Sequence, residues 1–205
     1  MNKIFFTADN NFGSERHLKL SKRPFTDVNE MNKVMIHKWN SVVGKDDRVF
    51  HLGNFGTPQT ILQLNGKISM VMGNYELNDP EIVRFLRPYV RFLPGSSIIR
   101  LPVSTEGLIV DEDSDLIQKG DVDHFSVQLV HEPSHAMPEL EAFVLFAHIH
   151  KTQMVKRNGL NVGVDCHNFT PIDLDEFLFW KNAIENHYDH EVFLPSVGQA
   201  TKEGL

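Results

Sequence analysis

Short apolar runs and helically spaced apolar positions take turns along the first half of the chain. Lys3-Ile-Phe-Phe-Thr-Ala8 has the form of a buried strand and stops at the polar turn Asp9-Asn10-Asn11-Phe12-Gly13. Val28, Met31, Met35, Trp39 and Val42 recur at helical spacing and predict a helix over 28–43. Asp27 is placed to cap it, with Glu30 three residues on as in a capping box, and Gly44 is placed to stop it. Arg48-Val-Phe-His-Leu52 predicts a second strand, ending at Gly53-Asn54. Residues 57–64 read as a short helix, and Lys67-Ile-Ser-Met-Val-Met72 as a third strand that ends at Gly73-Asn74. Strands alternating with helices predict βαβ units and parallel pairing.

The second half has a different rhythm. Residues 98–103, 107–111, 125–131, 143–148, 152–156 and 160–165 read as strands with little helix between them. That predicts a second, more antiparallel sheet. A final helix is expected from Pro171 to about His187, where Asp173 and Glu176 repeat the capping-box spacing. Residues 111–123 carry Asp111, Glu112, Asp113, Asp115, Asp121 and Asp123. The EF-hand spacing, with its Gly and terminal Glu, is absent, so a solvated acidic loop is expected over a calcium loop.

Composition narrows the class. A chain of 205 residues, 41% hydrophobic and 23% charged, is expected to form one globular domain of the α/β class. No run reaches the roughly 18 apolar residues of a membrane span, so no membrane association is expected. The start, MNKIFF, meets Asp9 too soon for a secretory signal. The single cysteine, Cys166, excludes an internal disulfide and fits a reducing, cytoplasmic setting. A net charge of −7 argues against general nucleic-acid binding, which needs a basic surface. Histidine is over-used, at 11 residues, and position must decide which of them carry chemistry.

Position is informative. Asp9 with Asn11, Asn54, Asn74-Tyr75-Glu76, His131, and His148 with His150 all fall at expected strand ends. Ligands of open α/β sheets gather outside the carboxyl ends of strands, so these groups are placed to converge. His148-Ile149-His150 puts both imidazoles on one face if it is a strand; if the chain turns there, they can still meet. His51, ending a strand, and His17, in a loop or short helix, read as ordinary residues.

The order Asp9-x-Asn11, Gly53-Asn54, Gly73-Asn74-Tyr75-Glu76, His131, His148-x-His150 resembles the calcineurin-like metallophosphoesterase family, whose motifs run D-x-H, G-D, G-N-H-D/E, H and G-H-x-H. Arg23-Pro24-Phe25, Trp39-Asn40-Ser41-Val42-Val43-Gly44, His51-Leu52-Gly53 and Asn161-Val-Gly-Val-Asp165 look like the short single-domain members from bacteria and phages. The resemblance spans about 3–185; residues 104–124 form a variable acidic insert and 188–205 a tail. It implies two packed mixed β-sheets flanked by helices.

It also implies a site. Asp9, Asn74, His131, His148 and His150 stand at the family's metal positions, with Asn11 and Asn54 as weakened ones. Tyr75 stands where the family has the histidine that assists the leaving group, and Ala147 where it has the last motif's glycine. Arg23 and Asn74 are the phosphate-binding candidates, with Arg23 equally able to anchor its loop. Two divalent ions about 3.5–4 Å apart repel by roughly 18 kcal/mol at an effective dielectric near 20. A bridging carboxylate normally offsets that, and Asn54 offers only a neutral amide. A tyrosine of reference pKa about 10 is a poor proton shuttle near neutrality. The expectation is therefore an impaired or inactive member holding at most one ion (Mn, Zn or Fe), or none. It would act by binding a protein or a nucleotide- or phosphate-type ligand. The alternatives are a weak single-metal phosphodiesterase or phosphatase, and a purely structural role.

Overall fold

The computed structural model describes residues 2–103 and 123–188. The elements follow in order: β1 (Ile4–Thr7), α1 (Glu15–Leu20), α2 (Val28–Val42), β2 (Arg48–His51), β3 (Lys67–Val71), α3 (Asn74–Asn78), α4 (Pro80–Leu86), β4 (Val90–Leu93), β5 (Ser96–Pro102), β6 (His124–Val130), β7 (Phe143–Phe146), β8 (Val155–Lys156), β9 (Gly159–Asn161), β10 (Ile172–Asp173) and α5 (Leu174–Asn186).

They make two five-stranded sheets flanked by helices. The first has the order β10-β1-β2-β3-β4, with β1 to β4 parallel and β10 antiparallel at the edge. The second has the order β5-β6-β7-β9-β8. It is the more antiparallel of the two, as expected, with β5–β6 and β8–β9 antiparallel, but it is mixed, because β6–β7 and β7–β9 are parallel. Parallel neighbours need a crossover of a dozen or so residues. Residues 131–142 supply one using only short 3₁₀ turns, so no helical pattern announced it.

Alternation along the strands divides the core. Ile4, Phe6, Phe50, Leu52 and Val71 face the second sheet and meet Val127, Leu129, Phe143, Leu145 and Phe177. Phe5, Val49, Ile68, Met70 and Val90 face the opposite way, against Met31, Met35 and Trp39 of α2. Those three helix residues are fully buried, each worth roughly 1.5–3 kcal/mol relative to exposure. The last predicted position, Val42, is 40% exposed, and Val43 fills the core in its place.

Helix ends follow the sequence with two differences. Asp27 caps α2 by accepting the Glu30 N–H at 2.8 Å, but the Glu30 carboxylate binds Thr26 one residue earlier. Gly44 does not take a left-handed conformation; Val43 is extended, and the Gly44 N–H donates to Asp47 Oδ2 at 2.7 Å. Asp173 caps α5, accepting the Glu176 N–H at 3.0 Å. That helix starts at Leu174, since Ile172–Asp173 pairs with β1. The predicted helix over 57–64 is a 3₁₀ helix, Pro58–Gln63. β7 stops at Phe146 and β9 at Asn161, short of the expected ends. The expected strand at 107–111 and the acidic residues from Asp111 to Asp121 lie outside the described residues.

Candidate functional site

The parallel strands of both sheets run toward one end, and the loops leaving β1, β2, β3, β6 and β7 meet there. Asp9, Asn11, Asn54, His148 and His150 all have φ between 49° and 70°. Such left-handed residues cost roughly 1–3 kcal/mol each and gather where a site overrules local preference. His148 and His150 thus sit on a turn, not in a strand.

Two glycines let the loops touch. A Cβ on Gly53, at φ +83°, would lie 2.3 Å from the Gly73 nitrogen. One on Gly73 would lie 2.6 Å from the Asn54 nitrogen and 2.9 Å from a His131 ring carbon. Glu76 locks this junction. It is 2% exposed, and its carboxylate accepts the N–H groups of Asn54, Phe55 and Gly73 at 2.9, 2.8 and 2.8 Å. It orients the loops; it is not a surface ion-pair partner.

Asp9 is the centre. Its Oδ1 accepts from Asn54 Nδ2 at 3.1 Å and its Oδ2 from the His148 N–H at 2.7 Å. The Asn54 amide oxygen accepts the Tyr75 N–H at 3.2 Å, so that amide is committed at both ends. Asn11 donates to the Asp9 carbonyl at 2.9 Å, while its own amide oxygen is buried and takes no hydrogen bond from the described residues.

Next to Asp9, three donor atoms converge. His131 Nδ1 lies 2.6 Å from the Leu52 carbonyl and donates to it, which turns a lone pair outward at Nε2. That Nε2 lies 2.9 Å from Asn74 Oδ1 and 3.3 Å from His148 Nδ1. The Asn74 Nδ2 is placed by Glu132 Oε1 at 3.3 Å, so the amide oxygen is the end that faces His131. Lone pair facing lone pair is unfavourable unless a proton or cation lies between them. Bonds of about 2.0–2.1 Å in a tetrahedral zinc site put adjacent ligands roughly 3.3–3.4 Å apart, close to the His131–His148 spacing. Among the described residues no group of three His, Cys, Asp or Glu side chains is arranged for a metal; here the third donor is an amide.

The other side of Asp9 is built differently. His150 Nδ1 donates to Asp165 Oδ2 at 2.9 Å. Burial alone would lower the His150 pKa, but this hydrogen bond and the charges of Asp9 and Asp165 outweigh it and raise the pKa above the usual value. Asp165 also holds Arg23, at 2.9 and 3.0 Å. The Asp165 pKa is lowered: burial would raise it, but the hydrogen bonds from His150 and Arg23 prevail. Arg23 spends its remaining donors on the carbonyls of Asp9 and Asn10, both at 2.7 Å, with the sulfurs of Met31 and Met35 at 3.6 and 3.9 Å. Of its two expected roles, the geometry gives it the anchoring one; no donor is left for a phosphate.

His17 belongs to the site despite its unremarkable sequence context. It lies on α1, with Nδ1 at 2.9 Å from Ser14 Oγ and 3.0 Å from the Tyr75 hydroxyl, and its ring centroid 5.2 Å from that of His150. Burial, then the charges of His150, Arg23 and Arg16, push its pKa down to about 4. A six-residue helix without an apolar period gave no sign of this. His51 is held elsewhere. It accepts the Gly53 N–H at 3.1 Å and donates to Asn10 Oδ1 at 2.8 Å. Burial and then His131 lower its pKa to about 3.

Fold and site together define a two-sheet α/β protein with a buried polar centre at its strand ends. No protein-family model matches the sequence. The chain is similar to an uncharacterized protein, MJ1445, of Methanocaldococcus jannaschii, 27% identical over 183 residues, which cover 85% of this chain and 89% of that one. It is 29% identical over 85 residues to the gene 66 protein of Mycobacterium phage L5, covering 37% of this chain and 41% of that protein. Among solved structures, a protein of unknown function, AQ665 from Aquifex aeolicus, shares the fold with a TM-score of 0.59 at 17% identity, covering 86% of this chain and 98% of that one. No helix among the described residues is long and apolar enough to cross a membrane.

Proposed function

We propose that the protein is a calcineurin-like metallophosphoesterase scaffold whose hydrolytic centre has been largely dismantled, and that it acts by binding a protein or a nucleotide- or phosphate-type ligand at its strand ends. One observation carries this reading. The Asn54 amide occupies the place between Asp9 and the β3 loop, donating to Asp9 Oδ1 at 3.1 Å and accepting the Tyr75 N–H. A bridging carboxylate between two ions is thereby replaced by a neutral cross-link. On the other side of Asp9 stands His150, its ring held by Asp165 at 2.9 Å. Metal stoichiometry tests the reading: load the protein with Mn²⁺ or Zn²⁺, gel-filter it and analyse the elements. Zero or one ion per chain is expected, and two would overturn it.

A second reading rests on Asn74, His131 and His148. Their donor atoms fit one divalent ion, of the Mn, Zn or Fe type, which would supply Lewis acidity and water activation. Asp9 then orients the His148 backbone, and His131 is fixed by the Leu52 carbonyl, as metal-bound histidines commonly are. Tyr75 has its hydroxyl 3.0 Å from His17 Nδ1, beside His150, and would serve a phosphate bound there as a hydrogen-bond partner rather than a proton shuttle. This weak single-metal phosphodiesterase requires Mn²⁺-dependent cleavage of a phosphoester that His148→Ala abolishes. Saturating Mn²⁺ without turnover on any phosphoester removes it and leaves the binding role.

A further inference from the structure

The opposite end of the first sheet carries a different chemistry. Its inner face is apolar near the strand ends, at Phe50, Val71 and Leu93. Period-two alternation puts Arg48, Lys67, Ser69 and Arg91 on that same face at the strand starts. Register sets Arg48 directly beside Lys67 and Ser69 directly beside Arg91. A cavity of about 460 Å³ opens here, lined by Arg48, Lys67, Ser69, Arg87, Tyr89 and Arg91 among others. No Asp or Glu is among its lining residues in the described chain. Asp46 approaches Lys67 Nζ at 3.9 Å, with both side chains largely exposed. Arg48, Lys67 and Arg91 each keep an interaction within the protein, so a ligand would add to their contacts rather than supply the first.

Four cations around one cleft are unexpected in a chain with 20 Lys and Arg against 27 Asp and Glu. Arginine forks match phosphate oxygens in pairs. Tyr89 is 50% exposed at the rim and offers a ring face to a base. The volume lies within the usual range of small-ligand sites, about 300–1,000 Å³.

We propose that this cleft binds a nucleoside di- or triphosphate, its phosphates held by Arg48, Lys67, Arg87 and Arg91 and its base laid against Tyr89. The site is separate from the strand-end centre and stands whether or not that centre binds metal. Calorimetric titration of the full chain with ATP, ADP and pyrophosphate, in EDTA and low salt, tests it. ATP and ADP are expected to bind, and pyrophosphate about tenfold more weakly for lack of a stacking base. Arg87→Ala and Arg91→Ala, both at exposed positions, are each expected to weaken ATP about tenfold, the loss of a charge-assisted hydrogen bond. Circular dichroism verifies that both variants fold. Lys19→Ala, which removes an exposed cation that does not line the cleft, is expected to leave ATP binding unchanged. The proposal is overturned by absence of binding at millimolar ATP, or by binding indifferent to both arginine variants. An equal loss in Lys19→Ala would reduce the binding to general charge attraction and overturn the site. Equal affinity for ATP and pyrophosphate would refute the nucleotide class.

Discussion

Asn54→Asp is the substitution that separates a lost metal bridge from an ordinary buried amide. In the parent, Asn54 Nδ2 donates to Asp9 Oδ1 at 3.1 Å. In the variant two carboxylate oxygens face each other at about that distance. At an effective dielectric near 20, two unit charges so placed repel by roughly 5 kcal/mol. The pair has a cheaper alternative at neutral pH. Protonating a carboxyl of pKa about 3.9 at pH 7 costs about 4 kcal/mol, so the pair takes up a proton and the loss is capped there. The variant should therefore lose about 4 kcal/mol at pH 7 in EDTA, or about 10 °C in melting temperature for a chain this size. The deficit should shrink as the pH falls toward 4, because protonation then costs little. A divalent ion relieves the same repulsion, so Mn²⁺ should raise the variant's melting temperature far more than the parent's. Differential scanning fluorimetry at pH 5 and 7, with EDTA or with Mn²⁺, reads all four conditions. A variant that melts like its parent in EDTA at pH 7 would refute the contact between Asn54 and Asp9. A variant that is destabilised but gains nothing from Mn²⁺ would refute the claim that residue 54 limits metal binding.

Glu76→Ala leaves three buried N–H groups without their acceptor, at roughly 1–3 kcal/mol each, and should cost at least about 3 kcal/mol by urea denaturation; a loss below 1 kcal/mol would mean the loops hold without it. Arg23→Met leaves the buried Asp165 carboxylate with His150 alone and takes the donor from the Asp9 and Asn10 carbonyls, and should cost about 3–5 kcal/mol in the same assay, with Arg23→Lys recovering only part because it cannot form the two-pronged contact. Acid should destabilise the fold through His51: unfolded, it takes a proton near pH 6.5, whereas folded it stays neutral down to about 3. Stability from this residue is thus full above pH 6.5 and falls by up to about 5 kcal/mol as the pH drops toward 3. Denaturation midpoints measured across pH 7 to 4 should slope accordingly, and a slope unchanged in His51→Gln would count against this account.

Much of the site was legible because parallel strands end together. Asp9, Asn54, Asn74 and His131 follow apolar runs whose period and length are plain, and the glycines before Asn54 and Asn74 mark where the runs stop. Four things were not legible. The orientation of Arg23 depends on Asp165, far away in the sequence, and no local pattern records that partner. His17 enters the site because Ser14 caps a six-residue helix and aims its ring at Tyr75, an outcome of loop geometry rather than periodicity. β4 and the two helices before it were missed, because Arg91 and the polar turn residues between 74 and 90 blur both periods. The second sheet's parallel pairing was hidden for a related reason, since its crossover carries no helix.

The left-handed backbone at Asp9, Asn11 and Asn54 limits which side chains these positions accept. Asn and Asp tolerate that conformation far better than branched or bulky residues. Asn, Asp, His and Tyr also share the last two letters of their codons and differ only in the first. Under the proposed reading, each replaced residue (Asn11, Asn54 and Tyr75) therefore lies one base change from its hydrolytic counterpart. The backbone that would receive that counterpart is already shaped for it. Such a protein can shed its charge without disturbing its frame, and a lineage that kept the frame would have a short route back to catalysis.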